Sequence, residues 1–192
     1  MRFGLLLLVL LSISTPARAE WQVKPFLGVT FGGGMTLVDL EQSAGKPNVA
    51  LGVSTALLGE IFGVEADLGH APGFFQSGNA DLVLRSSVTT LTGNAIVAMP
   101  RRMTEYTLRP YFVGGMGRVW ASTATALGGL PFSVNLTAID LGAGVTGFIS
   151  RRVGVSWDVR HFRTIGGRDE GFSVGPEQLS FWRANMALAI RY

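Results

Sequence analysis

The sequence predicts an all-β fold, an eight-stranded antiparallel up-and-down transmembrane β-barrel, and three observations predict it. Apolar residues recur at every second position through eight segments. Several of those segments carry charge on the face opposite the apolar one, and the connections between them alternate in length. Long loops on one rim and tight turns on the other are what a strand meander closed into a barrel produces.

The chain opens with "MRFGLLLLVLLSISTPARA", which has an early positive charge at Arg2, an apolar core from Leu5 to Ile13 and the small-x-small ending Ala17-Arg18-Ala19. This is the pattern of a secretory signal peptide cleaved after Ala19. The core is well short of the roughly 20 residues a membrane-spanning helix needs. The expected organisation is therefore a signal peptide over 1–19 and one barrel domain over 20–192. Losing Arg2 and Arg18 takes the 16 basic residues to 14 against 13 acidic ones, a net charge of +1. That balance, without a Lys/Arg-rich run, argues against a nucleic-acid partner. The sequence has no cysteine, which excludes disulfides, a thiol nucleophile, a thiolate metal site and a lipoprotein-type lipid anchor. Asp140 interrupts the best apolar run after residue 19, so a spanning helix is not expected there either.

The first strand, "WQVKPFLGVTF", sets Trp21, Val23, Pro25, Leu27, Val29 and Phe31 against Gln22, Lys24, Phe26, Gly28 and Thr30. Similar segments follow at 49–58, 61–70, 83–99, 108–121, 136–149, 153–163 and 180–192. In the third, "IFGVEADLGH", Glu65 and Asp67 share the face opposite the apolar residues; "AIDLGAGV" does the same with Asp140, and "VSWDVRHF" with Asp158 and Arg160. The fourth and fifth, "VTTLTGNAIVA" and "PYFVGGMGRVW", are mixed on both faces, which leaves their facing open. The last strand alternates most regularly: Trp182, Ala184, Met186, Leu188 and Ile190 on one face, Arg183, Asn185 and Arg191 on the other, ending on Tyr192. Polar, Gly-rich connections of about a dozen residues or more, such as "GGGMTLVDLEQSAGKPN" and "IGGRDEGFSVGPEQ", are expected after the odd-numbered strands. The others are "GE" near residue 59, "PRRMTEYT" at 100–107 and "SRR" at 150–152.

A soluble lipocalin-type barrel also has eight up-and-down strands, and parity alone cannot tell inside from outside. Two features decide for a membrane barrel. Aromatics gather at strand ends (Trp21, Phe31, Phe62, Tyr111, Trp120, Phe181, Trp182, Tyr192), as expected of two interfacial girdles. Small residues fill the inner face (Gly28, Gly52, Gly63, Gly69, Gly142, Gly144, Ala187, Ala189) and leave room for long charged side chains. The expected lumen network is Lys24, Glu65, Asp67, Asp140, Asp158, Arg160 and Arg183. Lys24, Glu65 and Asp158 form a tier nearer the turns, while Arg160, Arg183 and Asp140 lie higher, with Asp158 and Arg183 on neighbouring strands expected to pair. Leu188 and Val155 are expected near mid-membrane on the outer face.

No catalytic, cofactor or metal site is expected. "GAGVTG" at 142–147 has the spacing of a dinucleotide fingerprint, but it continues as turn and strand where the fingerprint needs a helix. The two histidines, His70 and His161, lack an assembled Ser and acid partner. His161 shares parity with Val153, Val155, Trp157 and Val159, on the lipid side. Glu65 and Asp67 have no nucleophile or further oxygen ligands clustered beside them in sequence, and Asn135-Leu-Thr137 is a weak glycosylation match.

"FGVEADLGHAPGFF", "LRPYFVGGMGRVWA", "DLGAGVTGFI" and the terminal "MALAIRY" together resemble the outer-membrane β-barrel domain family of Gram-negative bacteria, which includes the transmembrane domain of outer membrane protein A. The resemblance covers the whole mature chain. It implies location in the outer membrane among its lipids, and an assembly signal in the last strand, Trp182, Met186, Leu188, Ile190 and Tyr192, read by the barrel-assembly machinery. It also implies that Tyr192 closes the barrel against the first strand. No peptidoglycan-binding domain follows, so tethering to the cell wall is not implied. The expected role is structural or surface-interacting, through the long loops and without catalysis. The alternatives are an outer-membrane lipid-modifying enzyme and a soluble ligand carrier.

Overall fold

A computed structural model describes residues 19–35, 47–74, 83–104, 108–125, 132–165 and 179–192. Residues 1–18, where the signal peptide is expected, and much of the longer connections lie outside the described residues. The strands are β1 (Glu20–Met35), β2 (Asn48–Leu58), β3 (Phe62–Pro72), β4 (Val83–Ala98), β5 (Leu108–Thr125), β6 (Phe132–Phe148), β7 (Val153–Thr164) and β8 (Leu179–Arg191), with one 3-10 turn at Arg101–Met103. Each pairs antiparallel with the next, and β8 pairs with β1 to close the barrel. Closure leaves no unpaired strand edge, the condition for a sheet to lie in hydrocarbon.

The closing seam runs from Gln22 opposite Arg191 to Met35 opposite Leu179, with a register shift between Phe31 and Gly34. Gly32 sits there at φ +61°, a left-handed conformation that glycine takes without a Cβ penalty.

Alternation along each strand sorts side chains in and out. In β1 Gln22, Lys24, Phe26 and Thr30 are buried inside, while Trp21, Leu27, Val29 and Phe31 are exposed on the outer wall. The two ambiguous strands resolve in the same way. β4 turns Val88, Thr90, Thr92, Asn94, Ile96 and Ala98 inward, and β5 does so with Arg109, Tyr111, Val113, Val119 and Ala121. The faces of β4 look mixed because Thr90, Thr92 and Asn94 stand between Val88 and Ile96 on the inner one while the outer one includes Thr89, Gly93 and Ala95. Those of β5 look mixed because Arg109 and Tyr111 share the inner one with Val113 and Val119 while Arg118 lies on the outer one.

Three expectations are corrected. Tyr111 and Phe181 are not girdle residues: both are buried in the lumen, because they share parity with Val113 and Arg183. β5 and β6 run past their expected ends, so only residues 126–131 separate them, in place of a loop of a dozen or more. Leu188 and Val155 do face each other on the outer wall, but close to the turn-side ends of their strands. Met186, opposite both Leu27 and Trp157, lies nearer the middle.

Inside, an apolar layer toward the loop side brings together Phe74, Val88, Val119, Leu136, Phe162, Leu179 and Phe181. The Phe162 and Phe181 rings stack with centroids 5.0 Å apart, and Phe74 meets Phe181 edge-on. A smaller apolar cluster of Ala56, Leu58, Ile96, Ala98, Tyr111 and Val113 lies toward the turns.

Candidate functional site

Between these apolar layers lies a belt of charge. Alternation brings Lys24 from β1, Glu65 and Asp67 from β3, Asp140 from β6, Asp158 and Arg160 from β7 and Arg183 from β8 into the lumen, all buried. Inward glycines make the space: a Cβ on Gly69 would run into the Arg183 guanidinium, and one on Gly144 would lie 2.6 Å from the Tyr111 ring.

Arg160 is the hub. Its Nη1 donates to Glu65 Oε1 at 2.6 Å and its Nε to Asp158 Oδ1 at 3.0 Å, and Asp67 Oδ2 lies 3.7 Å from Nη1. Lys24 Nζ donates to the other Glu65 oxygen at 3.0 Å. Arg183 donates to Asp67 Oδ1 at 2.6 Å and to Thr90 Oγ1 at 3.2 Å. Its guanidinium lies 4.8 Å from the centroids of both the Phe26 and Phe162 rings, a double cation–π contact. Burying ions is costly unless each is paired and its remaining hydrogen-bonding capacity used. Neutral groups supply much of that second requirement. Asn185 and Tyr111 donate to Asp158 at 2.9 and 3.1 Å, and Asn94 donates to Glu65 at 3.2 Å.

The expected Asp158–Arg183 pair does not form. Register sets Arg183 opposite Arg160, and Asp158 opposite Asn185. With a like charge beside it, Arg183 reaches across the lumen to Asp67, while Asp158 takes Arg160 from its own strand. The two tiers interlock through Arg160, which joins Glu65 of the lower tier. Asp140 faces the lumen, but neither carboxylate oxygen has a hydrogen-bond partner among the described residues. Sequence reading left Tyr111, Asn94, Asn185 and Thr90 out of the network as neutral partners; the available signal was shared parity, of Asn185 with Arg183 and of Tyr111 with Arg109.

The remaining candidates fall elsewhere. "GAGVTG" is continuous strand within β6. His161 packs on Trp182 at 4.8 Å on the outer wall, and His70 Nδ1 lies 2.9 Å from Thr89 Oγ1. Among the described residues no group of three or more His, Cys, Asp or Glu is placed to hold a metal. Trp182, Met186, Leu188 and Tyr192 are exposed along the outer face of β8, with Ile190 half-buried in the same row. The Tyr192 amide donates to the Trp21 carbonyl at 3.0 Å, beside the seam.

A closed wall with an apolar exterior and a charged, packed interior defines an integral membrane β-barrel. The chain matches the family described as "Outer membrane protein beta-barrel domain" over residues 3–180, so it belongs to that family and resides in the outer membrane, among its lipids. No curated protein matches it in sequence. Among solved structures it is similar to Neisserial surface protein A (TM-score 0.66, 12% identity, covering 90% of this chain and 97% of that one). The N-terminal β-barrel domain of Pseudomonas aeruginosa OprF is also similar (0.59, 12%, 92% and 99%). So is Ail, the attachment invasion locus protein of Yersinia pestis, in complex with the heparin analogue sucrose octasulfate (0.58, 11%, 91% and 99%). At these identities the likeness is one of fold.

Proposed function

We propose that the protein is a non-catalytic outer-membrane scaffold that presents its loop-side connections for envelope integrity or surface contact. The observation that carries this reading is the lumen, where six of the seven expected charged residues are bonded to one another and flanked by apolar layers. Such an interior holds a wall in shape. Short turns face the periplasm in barrels of this kind, which puts residues 36–47, 73–82, 126–131 and 165–178 at the cell surface. Ail, a structural neighbour, is named for attachment and invasion. Replacing residues 166–177 with an equally long Gly-Ser-Asn segment is expected to leave the heat-modifiable barrel in the outer membrane and to reduce cell-surface binding. Lipid A mass spectra are expected to be the same with and without the gene. A change in those spectra would overturn this reading in favour of a lipid-modifying enzyme.

Residues 1–19 serve, in this reading, as the removed signal, and the β8 row of Trp182, Met186, Leu188, Ile190 and Tyr192 is recognised by the barrel-assembly machinery. Tyr192→Ser, or a short polar extension after it, is expected to lower outer-membrane levels and leave periplasmic degradation products. Normal levels of heat-modifiable barrel in both variants would contradict the assignment.

A further inference from the structure

A cavity of about 480 Å³ opens at the turn-side rim, among the start of β1, the 3-10 turn, the start of β5, the β6–β7 turn and the end of β8. Among the described residues its charged lining is Arg101, Arg109, Arg151 and Arg191 with the Glu20 carboxylate. Arg101 and Arg191 both pair with Glu20. Burial and the like charge of Arg191 hold the Arg101 guanidinium below its usual range.

Arg109 is the most telling member. It is 5% exposed and, among the described residues, donates to the carbonyl oxygens of Met99, Gly59 and Glu60 at 2.7 to 3.1 Å. Its Nη1 is buried with no hydrogen-bond partner among the described residues. Among the described residues the cavity carries more guanidinium than carboxylate, which leaves it short of negative charge. Ser150 adds a hydroxyl whose oxygen already accepts from the Arg152 and Val153 amides, leaving its proton to donate.

We propose that this cavity binds the phosphate group of an anionic molecule. Guanidinium forks match phosphate oxygens in geometry as well as charge, and the excess of guanidinium over carboxylate among the described lining residues suits a mono- or dianion. The cavity lies beside the bilayer interface, where Ile149 is 83% exposed and Trp21 marks the aromatic girdle, so a phospholipid headgroup can reach it from the side. Soluble phosphate would reach it from the aqueous phase. The periplasmic setting rests on the orientation proposed above, whereas the affinity for phosphate depends only on the folded barrel.

The test uses the full-length mature barrel and the double variant Arg101→Gln/Arg151→Gln, which alters two residues exposed at the rim. Inorganic phosphate titrated in detergent, at constant ionic strength, is expected to bind the wild type and to lose about tenfold or more in affinity in the variant, with heat-modifiable mobility unchanged. Nanodiscs of phosphatidylcholine with a minor share of phosphatidylglycerol then separate the sources. Retention of phosphatidylglycerol by the wild type in native mass spectra identifies a headgroup site, and phosphate binding without that retention identifies a site for the soluble anion. Equal phosphate affinity in the two proteins, no binding in either, or acetate competing as well as phosphate would overturn the proposal.

Discussion

Arg160→Gln is expected to lower the stability of the folded barrel by about 3–5 kcal/mol, the usual result of removing one partner from a buried ion pair. The effect is large because Arg160 is 1% exposed and serves Glu65 and Asp158 directly, with Asp67 close by. Removing the guanidinium leaves Glu65 with Lys24 and Asn94, and leaves Asp158 with only neutral donors. Urea unfolding of the barrel in lipid vesicles measures the loss. A sharper form of the same expectation concerns Asp67 and Arg183, joined at 2.6 Å across the lumen. Asp67→Asn and Arg183→Gln should each destabilise, and the double variant should recover part of the summed loss, as coupling within a shared network requires. Strict additivity would rule the pairing out.

The second large effect belongs to the outer wall. Met186→Arg, at an exposed outward position near mid-strand, is expected to cost about 2–4 kcal/mol, whereas Phe62→Arg, at the first residue of β3, should cost about 0–1 kcal/mol from the added charge. This depth dependence arises because a charge near the interface keeps its water and one at the bilayer centre does not. Equal tolerance at both positions would argue that water, and not lipid, bathes the wall.

Much of the barrel is legible in the sequence, because a strand with one wet and one apolar face has only one way to sit in a closed wall surrounded by lipid. β1, β3, β7 and β8 show such alternation, and their inward charges follow from parity once the outside is lipid. β4 and β5 do not, since the inner face of β4 sets Thr and Asn among Val and Ile and that of β5 sets Arg109 and Tyr111 beside Val113 and Val119, so neither has a single character. Reading Tyr111 and Phe181 as girdle residues weighed residue type and nearness to a strand end above parity. Pairing inside the lumen was legible only as composition. Which acid meets which base depends on strand register and on reach across the barrel, and the alignment of Arg160 with Arg183 redirects both partnerships. The basic cup at the turn-side rim was hidden for a related reason. Its arginines come from the 3-10 turn, β5, the β6–β7 turn and β8, segments far apart in the chain that only closure brings together.

An eight-stranded barrel has an interior just wide enough for side chains to fill. Here a belt of ion pairs lies between two apolar clusters. The most direct measurement of a closed, self-neutralised lumen is the conductance of the folded wild-type protein in planar bilayers at moderate salt. No steady channel current above that of the protein-free bilayer is the expected result. A large, steady ion conductance, reproduced across insertions and absent from heat-unfolded controls, would contradict it.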